Sequence, residues 1–245
     1  MPNRPKTVSY LGVLILFFLA CSKNGSPVAP VVPSKTCNII AATLVLANGN
    51  IADKYTFQYD SANRLIASQD SAQSYSVSYS YSGKTIYRAV AAGIYSSVDT
   101  ITLNDAGLIA HDKEVVGTSV HIMNFTYDAN MQLTTYTEQQ DAYPPVSSSY
   151  YFTNGDNTLS ISAGSQDTLT YDLSKLAVAG NLDQFYQLLY LGAMRIKNKH
   201  LVVSQKHGAI ITDSYTFNAD GNISSVTTAV NGGNSSTLSY TYDCK

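Results

Sequence analysis

Tryptophan is absent from this 245-residue chain, and glutamate occurs only at Glu114 and Glu138. Only 13% of the residues are charged, which leaves too few of the strong helix formers for a helical bundle. With 15 Lys and Arg against 17 Asp and Glu there is neither a basic surface for nucleic acid nor an acidic tail. The four histidines, His111, His121, His200 and His207, show no HExxH or paired-Cys spacing. No G-x-S-x-G and no P-loop occurs, so neither a metal nor a cofactor is implied. The two Glu residues are far apart in sequence, and Asp pairs cannot be assigned to acid/base work without distances. The longest apolar run, Val8 to Leu19, is too short to span a bilayer as a helix.

What the chain does contain is tyrosine, 19 of them, and a repeat. Asp60, Asn104, Asp128 and Asn218 each open a turn and follow directly on Tyr59, Leu103, Tyr127 or Phe217. Five positions after each opener comes Leu65, Ile109, Leu133 or Ile223. The third position after it is Asn63, Gly107, Met131 or Gly221, where a tight hairpin needs positive φ. Met131 departs from that requirement, and Asn130 is the expected left-handed residue there. Weaker copies turn at Ser82-Gly83 and Asn154-Gly155, so openers recur every 22 to 26 residues up to position 154, the length of two strands and two turns.

The expected fold is all-β: a large antiparallel meander curled into a barrel-like sheet. The first strand runs from Asn38 to Ala47. Further strands lie near 54–60, 64–70, 74–81, 84–91, 95–103, 107–115, 119–127, 131–139, 147–153, 157–163 and 166–171, and a last hairpin closes the chain. Tyr75, Val77, Tyr79 and Tyr81 alternate with Ser74, Ser76, Ser78 and Ser80, which makes one face apolar and the other hydroxyl-rich. The tyrosine row lines the core, with its hydroxyls expected at a wet edge. One helix is expected at about 181–192, with Asn181 as N-cap, Gly192 as C-cap and an apolar face of Leu182, Phe185, Leu188 and Leu189, plugging one end of the sheet.

Residues 1–21 have the form of an export signal: a basic start with Arg4 and Lys6, the apolar run, then Ala20-Cys21. Phe18-Leu19-Ala20-Cys21 resembles a bacterial lipobox, which implies lipidation at Cys21. Ser22 after it resembles the pattern of lipoproteins passed to an outer membrane. Residues 22–36 carry Pro27, Pro30 and Pro33 at a polyproline period and form a tether. Residues 37–245 are long enough for one sizeable core and form a single β domain. With Cys21 taken by lipid, Cys37 and Cys244 remain at the two ends of that domain, and a disulfide between them is expected in an exported chain.

Tyr59-Asp60-Ser61-Ala62-Asn63-Arg64-Leu65 resembles the YD repeat of wall-associated and toxin-shell proteins, with Asn63 in place of that motif's Gly. Taken whole, residues 37–245 look like the uncharacterised Bacteroidetes lipoproteins whose domain of unknown function is described as porin-like. The shared features are the Y-x-Y-D hairpins, a late helical insert before Lys197-Asn198-Lys199, and a last hairpin running from Tyr240 to Cys244. The resemblance implies a barrel-like sheet and no known activity.

The function expected is that of a lipid-anchored protein of the outer membrane or cell surface, not an enzyme, which meets the membrane through its anchor and contacts a glycan or another envelope protein. The alternative is a polysaccharide hydrolase using Asp carboxylates that spacing cannot identify, for which carboxylates clustered in a cleft would speak. A transmembrane barrel fits poorly, because neither face offers a lipid-facing band of Leu, Val and Phe. Asn218-Ala219-Asp220-Gly221-Asn222 has the alternate oxygen ligands of a calcium loop but lacks the closing Glu, and a hairpin turn explains it better.

Overall fold

The structure, a computed structural model, describes residues 37–181 and 198–244. Sixteen strands follow one another: β1 Cys37–Val45, β2 Ile51–Tyr59, β3 Leu65–Asp70, β4 Tyr75–Ser82, β5 Thr85–Ala92, β6 Tyr95–Leu103, β7 Ile109–Val116 and β8 Ser119–Tyr127. The second half continues with β9 Leu133–Gln140, β10 Val146–Thr153, β11 Asp156–Ser162, β12 Ser165–Leu176, β13 His200–His207, β14 Ala209–Phe217, β15 Ile223–Val230 and β16 Ser235–Cys244. Each pairs antiparallel with its chain neighbours, and β16 pairs with β1, so the sheet closes into a barrel without edges. The expected helix lies, apart from Asn181, outside the described residues. β13 went unpredicted, hidden by Lys199 and His200 at its start and by a hairpin to β14 that turns on Gly208 alone.

The repeat is a turn held by one side-chain oxygen. Asp60 Oδ1 accepts the backbone N–H groups of Ala62 and Arg64, both at 2.9 Å. Asn104, Asp128 and Asn218 accept in the same way from the residues two and four positions on, at 2.8 to 3.1 Å. Asn218 thus spends its oxygen on its own turn, as a hairpin requires and a calcium loop does not. The third residue is left-handed in all four copies, and at the third copy it is Met131 itself, φ 63°, not Asn130. Two backbone bonds close that turn around it, Asp128 N–H to Gln132 O at 2.9 Å and Met131 N–H to Asp128 O at 3.0 Å, and they hold Met131 where its own preference would not.

Each of these hairpins shifts register just above the turn, between Gln58 and Tyr59 in the first copy and between Thr216 and Phe217 in the last. Such a bulge removes a carbonyl from the ladder, and at two of these hairpins and at the bulges of β1 and β13 a tyrosine supplies its donor. Tyr59 Oη donates to Ile39 O at 2.8 Å, Tyr81 Oη to Leu65 O at 2.6 Å, Tyr215 Oη to Val202 O at 2.5 Å and Tyr242 Oη to Ile223 O at 2.6 Å. These hydroxyls therefore cap interior backbone and do not lead to a wet edge.

The two ends of the barrel differ. Around the tyrosine-capped turns the interior is packed shut by Ile39, Leu65, Ile101, Ile109, Leu133 and Ile223, all 5% exposed or less. Gly180 belongs to this seal: at φ 90° it sits against Tyr242 Oη, and a Cβ there would collide with it. At the same end buried Asp156 accepts from Lys199 N–H at 2.9 Å and His200 N–H at 2.8 Å, fixing the chain as it enters β13. Cys37 and Cys244 face each other at this end as the first register pair of β1 and β16, Cα atoms 4.1 Å apart, joined as a disulfide. Intact mass of the protein before and after reduction is expected to rise by about two hydrogens, and loss of a loop constraint spanning 207 positions is expected to lower stability by up to ~5 kcal/mol in denaturant titration. Two thiols that react without reductant would contradict the bridge.

Candidate functional site

At the other end, formed by the turns after β1, β3, β5, β7, β9, β11, β13 and β15, the interior is polar and water reaches it. Inward-facing His207 is exposed, and Glu114, Glu138 and Asp167 are partly exposed. Residues directly opposite on paired strands share a face, so the registers trace what lines it. One row crosses six strands as Tyr79, Arg88, Asp99, Glu114, His121 and Gln140. The next row toward the sealed end runs Tyr81, Ile86, Ile101, Asp112, Met123 and Glu138. Asp53 and Asp70 continue the acidic lining on β2 and β3, opposite Leu44 and Tyr55. Asp167 and Asp213 do so on β12 and β14, opposite Ser160 and Thr228.

Among the described residues eight carboxylates thus point inward against one permanent cation, Arg88, while Lys54, Lys113 and Lys206 fall on exposed, outward positions. Arg88 Nε binds Asp99, and its Nη2 lies 3.9 Å from Glu114 Oε1. Glu138 accepts from Tyr136 Oη at 2.7 Å and meets His121 Nδ1 at 3.3 Å. His207 Nδ1 pairs with Asp167, and His111, on the outer face, with Asn124 at 3.0 Å. His200 pairs with Asp156 at 2.7 Å near the sealed end. The histidines are thereby distributed over the barrel, each with its own oxygen partner.

Asp112 is the exception to this pairing. It is 0% exposed, and neither carboxylate oxygen has a hydrogen-bond partner; Asp99 Oδ1 also lacks one. Burial, then the neighbouring charge of Asp99, pushes the Asp112 carboxyl up to about 7, against the pull of Arg88. Burial also raises Asp99, Asp53 and Asp213 above the usual carboxylate range. The site can therefore hold protons or cations in a low-dielectric space at neutral pH.

None of these acids stood out by motif. Their signal was parity: Asp99 lies two residues before Ile101, and Asp112 three after Ile109 across a bulge, so charge falls where the strand period calls for core. Glu114 and Glu138, distant in sequence, line adjacent rows of one wall. Cys21, the expected lipid site, lies outside the described residues. On the outer wall a groove of about 310 Å³ crosses β2 to β5 over Gln58, Ala67, Gln69, Ser76 and Ala89, with no titratable side chain in its lining.

A porin-like protein from Bacteroides uniformis has a similar structure, with TM-score 0.61 and 17% sequence identity, over 87% of this chain and 99% of that one. The fold is that of a porin-like barrel. No protein-family model and no curated protein sequence matches the chain.

The raised Asp112 carboxyl sets the direction of the pH response. Its folded value of about 7 lies above an unfolded value of about 4, so the folded state binds the extra proton in between. Its stabilisation is complete below about pH 4 and is lost as pH rises to about 7, by up to ~4 kcal/mol. Asp112→Asn is expected to flatten the fall in urea stability across this window; a slope equal to wild type would show that Asp112 titrates normally.

Proposed function

We propose that this protein is a lipid-tethered component of the bacterial cell envelope that binds its ligand, a glycan or another envelope protein, at the open end of the barrel. The observation that carries the proposal is the asymmetry of the barrel. β1 begins with Cys37 at the sealed end, so a tether of residues 22–36 leaves from there, and the polar interior opens at the opposite end. With polyproline geometry the tether holds the domain up to ~45 Å from a lipid on Cys21. The open end then faces away from the anchoring membrane.

Part of the wall is poorly suited to crossing the membrane itself. A spanning barrel carries an outward apolar band. Here the outward positions of β4 are Ser76, Ser78 and Ser80, all exposed, and those of β16 include Ser239 and Thr241. In this proposal the tether alone meets the bilayer.

The hydrolase alternative gains one supporting observation, since a carboxyl raised to about 7 beside other carboxylates is how acid/base pairs are set apart. Against it, Asp99 and Asp112 are fully buried, out of reach of a polymer's glycosidic bond. Polysaccharide turnover abolished by Asp112→Asn would establish the hydrolase and displace the binding role.

Cys21→Ser is expected to move the protein from the membrane fraction to the soluble fraction. A variant that fractionates and migrates like wild type would overturn the lipid anchor.

A further inference from the structure

Two features of the open end bear on the chemistry of its ligand. The first is the charge imbalance of its interior together with Asp112, whose two oxygens face Arg88, Asp99 and Glu114 from a fully buried position without any hydrogen-bond partner. The second is the rim. Ile94 is 94% exposed, Tyr95 and Tyr143 are 69% exposed, and Leu46, Ile51 and Val146 are also uncovered, all in or beside the turns of this end. Asp141 is the one charged residue in those turns, whereas the turns of the sealed end carry Asp60, Arg64, Lys84, Asp105 and Asp128. An apolar rim around an acidic interior is complementary to a cation on an apolar body.

We propose that the open end of the barrel binds an organic cation, an ammonium group whose aliphatic or aromatic body rests on the rim while the charge enters among Glu114, Glu138 and the buried Asp99 and Asp112. This rests on the open end being the ligand site, and it names the ligand's class. Glu138 and Glu114 are the accessible members of the cluster, with side chains 40% and 23% exposed, and they meet the cation directly. Asp99 and Asp112 lie behind them and deepen the negative potential. The positive charge of an ammonium nearby favours the ionised form of Asp112, so its arrival releases a proton. The groups that set this balance are Tyr79 on β4, Arg88 on β5, Asp99 on β6, Glu114 on β7, His121 on β8, and Tyr136 and Glu138 on β9. Arg88 is shared between Asp99 and, at longer range, Glu114, and this one cation leaves net negative charge for the ligand.

The test is titration calorimetry of the full-length protein with 1,6-diaminohexane and with its uncharged counterpart 1,6-hexanediol. The diamine is expected to bind, more tightly as pH rises from 6 to 8, and the diol is not. Glu114→Gln and Glu138→Gln are each expected to weaken the diamine about tenfold, and Asp172→Asn on the sealed side of β12 is expected to leave it unchanged. Proton release, measured by repeating the titration in buffers of different ionisation enthalpy, is expected to disappear in Asp112→Asn. Equal binding of diol and diamine, or diamine binding unaffected by both Glu variants, would overturn the proposal. A neutral glycan whose binding depends on Tyr95 and Tyr143, with no diamine bound, would also overturn it while leaving the open end as the ligand site.

Discussion

Everything in this barrel depends on the pairing of its first and last strands. A sixteen-strand meander that stayed open would leave β1 and β16 as bare edges, each a template for another chain. Pairing from Cys37 opposite Cys244 to Val45 opposite Thr237 removes both edges together and gives the sheet an inside and an outside. Once closed, strand alternation has consequences it would lack in a flat sheet: every second residue is withdrawn from bulk water, and a single charged residue in that phase becomes an interior charge. The disulfide lies at the end of this seam, where the first and last strands would otherwise fray.

Closure demands a consistent register at every hairpin, and the repeated turn provides it. An Asp or Asn oxygen that accepts two backbone N–H groups fixes where the turn sits, and the bulge beside it shifts the returning strand so that the apolar phase continues inward. At Leu65 and Ile223 the freed carbonyl would be a buried orphan without the tyrosine hydroxyl that reaches it. This links two features of the composition that look independent, the abundance of Tyr and the Asp or Asn after an aromatic residue: one sets the turn, and the other satisfies the carbonyl that the turn displaces. Met131 shows the strength of the arrangement, since the turn imposes a left-handed conformation on a residue with no intrinsic tendency to it.

Fold class and most hairpins were legible because they rest on local signals, period-two alternation and turn chemistry. Cys37 and Cys244 could be paired on paper because a meander has only two ends. β13 was missed because its turn is a lone glycine, and the tyrosine hydroxyls were misplaced because bulges are invisible to a strict period of two. The acidic interior is a different kind of omission. Arg88, Asp99, Glu114 and His121 meet only after three registers are known, and a single slipped strand would have turned any of them to solvent.

That dependence on register bears on why the acids are there. Burying a carboxylate without a partner is costly, and an apolar side chain in the place of Asp112 would pack beside Ile101 and Met123 without penalty. The sealed half of the same barrel takes that cheaper solution with Ile109, Leu133 and Ile223. Since one closed sheet contains both solutions, the polar half is not forced by topology. Its charge is also not balanced locally, as a purely structural ion-pair network would be, because Arg88 satisfies one oxygen of Asp99 and leaves both of Asp112 open. A buried carboxylate with neither oxygen satisfied, at the end that water can enter and that uncovered apolar side chains girdle, is a cost that folding alone does not explain.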